Sequence, residues 1–196
     1  MLASGAGIVA VNAAVRLAPA ADIHFAGDGK FYGTAHAAAL ADFRGLLVTC
    51  SHQRIEPPAK RLLWRRPGAA GGRKLPALSE DRSRLHGACS GGLALNLVYL
   101  LAADPIFLGG YDFRPGPGGE THWHEGYSWP CRARDEGLWR SSFMPAIAAM
   151  APALAAAGRR VYNLNPASLL RAFPFATLPE ALEAARRGAH AEALVL

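Results

Sequence analysis

The chain has 196 residues, 51 % of them hydrophobic, and a formal net charge of +6. That length fits one domain with one sizeable core, and that apolar fraction excludes an intrinsically disordered chain. No apolar run is long and clean enough to span a bilayer, Met1 to Gly7 lack a secretory pattern, and three widely spaced cysteines (Cys50, Cys89, Cys131) argue against a disulfide framework, so a cytoplasmic protein is expected.

Ile8-Val9-Ala10-Val11 is a short apolar run ending at Asn12 and predicts a buried strand, followed by a short helix over Ala13 to Leu17 that Pro19 stops. Ile23 to Ala26 predict a second strand, closed by Gly27-Asp28-Gly29; Phe31 to Phe43 predict a helix, and Leu46 to Cys50 a third strand. From about 52 to 86 the chain carries nine Lys or Arg against three acids, an excess of six that equals the whole net charge. Its prolines and glycines predict a long basic loop, either a solvated excursion or a lid for an anionic ligand. Trp64 is its one interleaved aromatic, so nucleic acid is not expected as a partner.

Gly91 to Ala102 predict a strongly apolar helix whose Leu93, Leu97 and Leu100 face the sheet. Pro105 to Leu108 predict a fourth strand, and Arg114 to about Arg134 an irregular loop. Trp139, Phe143, Ile147, Met150 and Leu154 recur at helical spacing and mark a helix ending at Gly158, bent by Pro145 and Pro152. Arg160 to Leu164 predict a fifth strand, and Thr177-Leu178-Pro179-Glu180 is a capping box that opens a last helix. Alternating apolar strands and helices predict an α/β domain over residues 1–196, with a mainly parallel sheet covered by helices on both faces. Ligands of such sheets bind beyond the strand C-termini, where strand order reverses.

The polar and glycine residues at those strand ends are the candidate site. Asn12 either reads a base or sugar, or caps the following helix; Asp28 either meets ligand or forms a turn. Ser90 and Gly91 open an apolar helix whose unpaired N–H groups suit a phosphate or carboxylate. Gly109-Gly110-Tyr111-Asp112-Phe113 places two glycines, an acid and aromatics at the end of a buried strand. Thr121-His122-Trp123-His124-Glu125-Gly126-Tyr127 offers two histidines as general bases, or one as base and one as a loop strut. A metal site on the same histidines needs a third ligand such as Glu125, Asp112 or Cys131.

The order Val11-Asn12, Phe31-Tyr32-Gly33, Ser90-Gly91, Gly110-Tyr111-Asp112-Phe113 and Asn165-Pro166-Ala167-Ser168-Leu169-Leu170 resembles bacterial sialyltransferases of glycosyltransferase family 42. It also resembles a wider Rossmann-like set that includes the archaeal 6-hydroxymethylpterin diphosphokinase and phage-encoded proteins of unknown role. The resemblance implies a Rossmann-like fold in a bacterial or phage-infected cell. It implies that Asn12, Ser90, Gly91 and Asp112 hold the nucleotide, that Tyr111 or Tyr127 touches its phosphate, and that His122 or His124 is the base; Asp28, Gly110, Asn165 and Ser168 are further expected nucleotide contacts. The family begins with a strand ending in a Gly-x-Gly-Pro-Ser-like phosphate loop; here Met1 to Gly7 lead straight into what matches the second strand, so the first strand and its loop are expected to be missing. The function expected is a nucleotide-dependent group transferase, glycosyltransferase-like, with a nucleotide or nucleotide-sugar ligand and no required cofactor or metal. The alternatives are a pterin-type diphosphokinase using ATP and magnesium, with Asp112 or Asp28 near the metal, and a non-catalytic phage or prophage nucleotide-binding protein. A homo-oligomer is compatible with either.

Overall fold

A computed structural model describes residues 7–52, 60–65, 76–124, 136–187 and 193–195. The strands are β1 Gly7–Val11, β2 Ile23–Ala26, β3 Leu46–Thr49, β4 Lys60–Arg61, β5 Leu63–Arg65, β6 Arg84–His86, β7 Ile106–Leu108, β8 Val161–Asn163 and β9 Ala193–Val195. Seven of them form one sheet in the order β4-β3-β2-β1-β9-β7-β8, and β5 with β6 forms a separate ribbon. Every pairing is parallel. This is an α/β fold on a parallel sheet, and β1, β2, β3, β7 and β8 lie where the apolar runs predict them.

Strand order proceeds outward from β1 to β4 on one side and from β7 to β8 on the other. The reversal is bridged by β9, which pairs with β1 through Ile8↔Leu194 and with β7 through Phe107↔Leu194. Alternation along the strands sends Val9, Phe25 and Val48 into one core and Ile8, Ala10, Ala26 and Leu47 into the other, so both faces are covered.

The first core is filled by α1, Ser90–Leu100, which is buried from Gly92 to Val98. Leu93 and Leu97 are buried and Leu100 packs at the margin, in line with their spacing. Buried Asn96 ties the helix to the end of the basic segment: its Oδ1 accepts from Ser79 N (2.9 Å) and His86 N (2.8 Å), and its Nδ2 donates to Ser79 O (3.0 Å). Residues 76–86, expected as part of a loop, are anchored in this way, with Leu78 and Leu85 in the core, and residues 60–65 are anchored by the pairing of β4 with β3 and of β5 with β6; residues 53–59 and 66–75 lie outside those described.

The second core is covered by short 3-10 helices, Asn12–Arg16, Gly29–Gly33 and Ala35–Leu40. The single helix expected over 31–43 divides because Thr34 is extended (φ −98°, ψ 160°) between two 3-10 segments, its hydroxyl donating to Phe31 O. The later helix comprises α2 Glu136–Leu138, a π-helical turn Trp139–Phe143, α3 Met144–Ala148 and α4 Ala151–Ala156. Pro145 and Pro152 stand near the starts of α3 and α4, where a missing N–H is tolerated, and Gly158 ends the run at φ +71°. The capping box forms as expected: Thr177 N donates to Glu180 Oε2, and Glu180 N to Thr177 Oγ1, at the start of α5 Leu178–Arg187. No described helix is long and apolar enough to cross a membrane.

Gly87 sets how closely the chain approaches α1. A Cβ there would lie 2.7 Å from Leu93 N and 3.0 Å from the Gly92 carbonyl carbon, both backbone atoms that cannot turn aside. Gly87→Ala is expected to cost about 1–3 kcal/mol and lower Tm by roughly 3–10 °C. Gly33→Ala, where a Cβ meets nothing within 4 Å, is the control in the same thermal melt.

Candidate functional site

The helix α1 leads into β7 and therefore runs opposite to the strands, which brings its N-terminus to their C-terminal edge. Gly27 at the end of β2 meets it there: a Cβ on Gly27 would lie 3.2 Å from Ser90 Oγ and 3.1 Å from Leu93 Cδ1. Gly91 in turn meets Tyr111, whose ring a Cβ on Gly91 would approach to 3.1 Å.

Five expected site residues, Gly91, Tyr111, Asp112, Asn165 and Ser168, join in one chain of contacts along this edge. The buried Tyr111 hydroxyl donates to Gly91 O at 2.9 Å, and burial pushes the phenol well above its ordinary pKa. Ser168, fully buried, donates from Oγ to Tyr111 O (2.6 Å) and accepts from Leu170 N (3.0 Å). Asn165 Nδ2 donates to Asp112 Oδ1, while Asn165 Oδ1 accepts from Ala167 N. Leu169 N donates to Asp112 O. Thus Tyr111, Asp112, Asn165 and Ser168 lock the loops after β7 and β8 together and hold the first turn of α1, with Ser90 and Gly91 at its start. Gly110 is exposed at φ +78° with open space where a Cβ would stand.

Asn12 and Asp28 stand apart from that chain. Asp28 is exposed and accepts from Lys30 N at 2.9 Å, capping a 3-10 helix. Asn12, just after β1, has φ 52°, and its carbonyl accepts from His24 Nε2 at 3.1 Å. A carbonyl only accepts, so the His24 proton is on Nε2; Nδ1 is buried with no hydrogen-bond partner among the described residues, and burial lowers the pKa to about 4. His24 packs against Phe31 with ring centroids 5.0 Å apart and is a neutral strut for Asn12.

The histidines expected as bases lie in a second cluster at the same edge. His122 and His124 stack with centroids 5.2 Å apart, His124 meets His36 at 4.5 Å, and Trp123 meets His124 edge-on at 5.2 Å. Arg16 Nη1 lies 3.2 Å from His36 Nδ1, and its guanidinium lies 5.8 Å from the Trp123 ring centroid. A guanidinium only donates, so His36 Nδ1 is the acceptor and its proton sits on Nε2. These side chains come from the loops after β1 (Arg16), β2 (His36) and β7 (His122 to His124). Arg16 and His36 were missed in the sequence because each reads as part of an ordinary helix; their one signal was closeness to a strand end. Tyr127, Glu125 and Cys131 lie outside the described residues.

Chemically, the edge offers a cationic side chain at Arg16 and imidazoles, a group suited to proton transfer, while the first-turn amides of α1 at Gly91 and Gly92 bond the Cys89 side chain. Among the described residues no group of three or more His, Cys, Asp or Glu is arranged to hold a metal ion, and Asp112 and Asp28, expected near magnesium in the diphosphokinase alternative, have separate partners. No family model, curated protein or solved structure matches this chain.

Proposed function

We propose that this Rossmann-like chain is a nucleotide-dependent group transferase, glycosyltransferase-like in mechanism. The observation that carries the reading is the convergence of Arg16, His36, His122 and His124, from three loops, on the sheet edge where α1 presents its Ser-Gly-Gly first turn. The order of short motifs shared with glycosyltransferase family 42 supports it.

In this reading the donor lies across the strand ends, with Asn12 and Gly110 beside it and its phosphate at the Ser90-Gly91 start of α1. His124 or His122 takes the proton of an acceptor hydroxyl as that oxygen bonds to the transferred carbon. The carbon–oxygen bond to the leaving phosphate breaks, and its electron pair stays on the phosphate, stabilised by N–H groups. Tyr111 serves by holding α1, since its hydroxyl is engaged with Gly91.

Thermal-shift screening with CMP, CDP, UDP, ATP plus magnesium, and pterins selects the ligand; a true ligand at a hundredfold excess over Kd is expected to raise Tm by about 5 °C or more. With the matching donor, His124→Asn or His122→Asn is expected to lower turnover by roughly a hundredfold while donor binding survives. Normal turnover in both variants would remove these histidines as the base, whereas nucleotide binding with no turnover by the parent chain would leave the non-catalytic reading standing.

A further inference from the structure

We infer that Arg16, His36 and Trp123 form an acceptor subsite for a sugar bearing an anionic group, a carboxylate or a phosphate monoester. The inference rests on the transferase reading for the word acceptor, but its binding chemistry stands on the cluster itself.

Arg16 is exposed, and among the described residues no carboxylate pairs with it; its contacts are His36 and the Trp123 ring. The bond to His36 Nδ1 uses one of five N–H donors and steadies the guanidinium, leaving the rest of the planar fork for a carboxylate or phosphate. Trp123 is 55 % exposed although every other tryptophan ring described is either buried or, in Trp64, bonded through its indole N–H to Gly87 O. The guanidinium lies over the indole ring, and the indole surface that stays exposed suits the C–H face of a pyranose, which contributes apolar area, while the guanidinium takes the charge.

Position supplies the link to chemistry. His124 touches both His36 and Trp123, so a ring seated on Trp123 with its anion on Arg16 lies beside a candidate base. Arg16 and His36 lie in the loops after β1 and β2, whereas the donor's phosphate is assigned to α1. Two anionic groups therefore have two separate cationic or N–H seats. A neutral sugar would leave the Arg16 fork without its anion, and a simple anion would leave the indole uncovered.

Saturation-transfer NMR on the whole chain tests this with glucuronate, glucose 6-phosphate and glucose, each with and without CDP. Glucuronate or glucose 6-phosphate is expected to bind at least tenfold more tightly than glucose, and the stronger of the two identifies the anion. Arg16→Gln is expected to erase that preference, Arg16→Lys to keep part of it, and Trp123→Ala to weaken both anionic sugars about tenfold. Equal binding of all three sugars, or none by any, overturns the subsite, and CDP binding in that same sample leaves the transferase reading intact. Sugar-anion binding without any nucleotide binding supports the subsite and removes the donor. Anionic-sugar binding unchanged in Arg16→Gln and Trp123→Ala places it elsewhere and overturns the assignment.

Discussion

Val195→Asp is expected to destroy cooperative folding or to lower Tm by roughly 10–20 °C. Val195 is 0 % exposed, and its strand lies between β1 and β7 with pairings on both sides, Val9↔Val195 and Leu108↔Val195. Its carbonyl accepts from Gly109 N at 2.9 Å, fixing the chain just before the Gly110 turn. An unpaired carboxylate buried there costs several kcal/mol, of order 3–5, against a total stability of about 5–15 kcal/mol. Leu178→Asp, at an exposed position at the start of α5, is the control and should melt within a few degrees of the parent. Far-UV circular dichroism with heating reads both. A Val195→Asp protein melting like the parent would mean that β9 contributes little to the sheet.

Acidification is expected to weaken the fold through His24. Its folded pKa of about 4 lies below the ordinary value of 6.5, so as pH falls the unfolded chain takes up the proton first. The stabilisation is fully present above pH 6.5 and is lost as pH falls toward and through 4; the full span is worth about 3 kcal/mol. His24→Phe keeps a ring among Phe31, Tyr32 and Phe43 but has nothing to protonate. Urea midpoints at pH 7 and pH 4.5 should therefore differ less in the variant than in the parent, although the variant is weaker at pH 7 because Asn12 O loses its donor. An equal acid loss in both proteins would show that His24 is not the responsible group. The same bond supports the left-handed Asn12 backbone just after β1, so acid loosening should reach the candidate site as well.

What the sequence disclosed follows from how locally each feature is encoded. Continuous apolar runs such as Ile8 to Val11 and Ile106 to Leu108 need both faces of a parallel sheet, and they read as strands without tertiary information. The Thr177–Glu180 pair closes on itself and is equally local. By contrast, Lys60–Arg61 is a two-residue edge strand of charged residues that only the neighbouring β3 defines, and Ala193–Val195 is too short to show a period. Polar identity at the strand ends was legible; role was not. Tyr111 and Ser168 carry ligand-like side chains but spend their hydroxyls on Gly91 and the Tyr111 carbonyl. The His-x-His pair was visible as chemistry, whereas Arg16 and His36 join it only because the β1, β2 and β7 loops meet in space.

Amide chemical-shift mapping during a nucleotide titration is the most direct measurement of whether this sheet edge binds ligand. With CMP, CDP or UDP, saturable shifts are expected at the amides of Asn12, Gly91, Gly92 and Gly110, with smaller ones at the Trp123 indole N–H. The opposite edge, marked by the 2.9 Å Arg160–Asp104 ion pair, should stay unchanged. Saturable shifts confined to that opposite edge, or none with any of the three nucleotides or with ATP and magnesium, would contradict a nucleotide site at the strand C-termini.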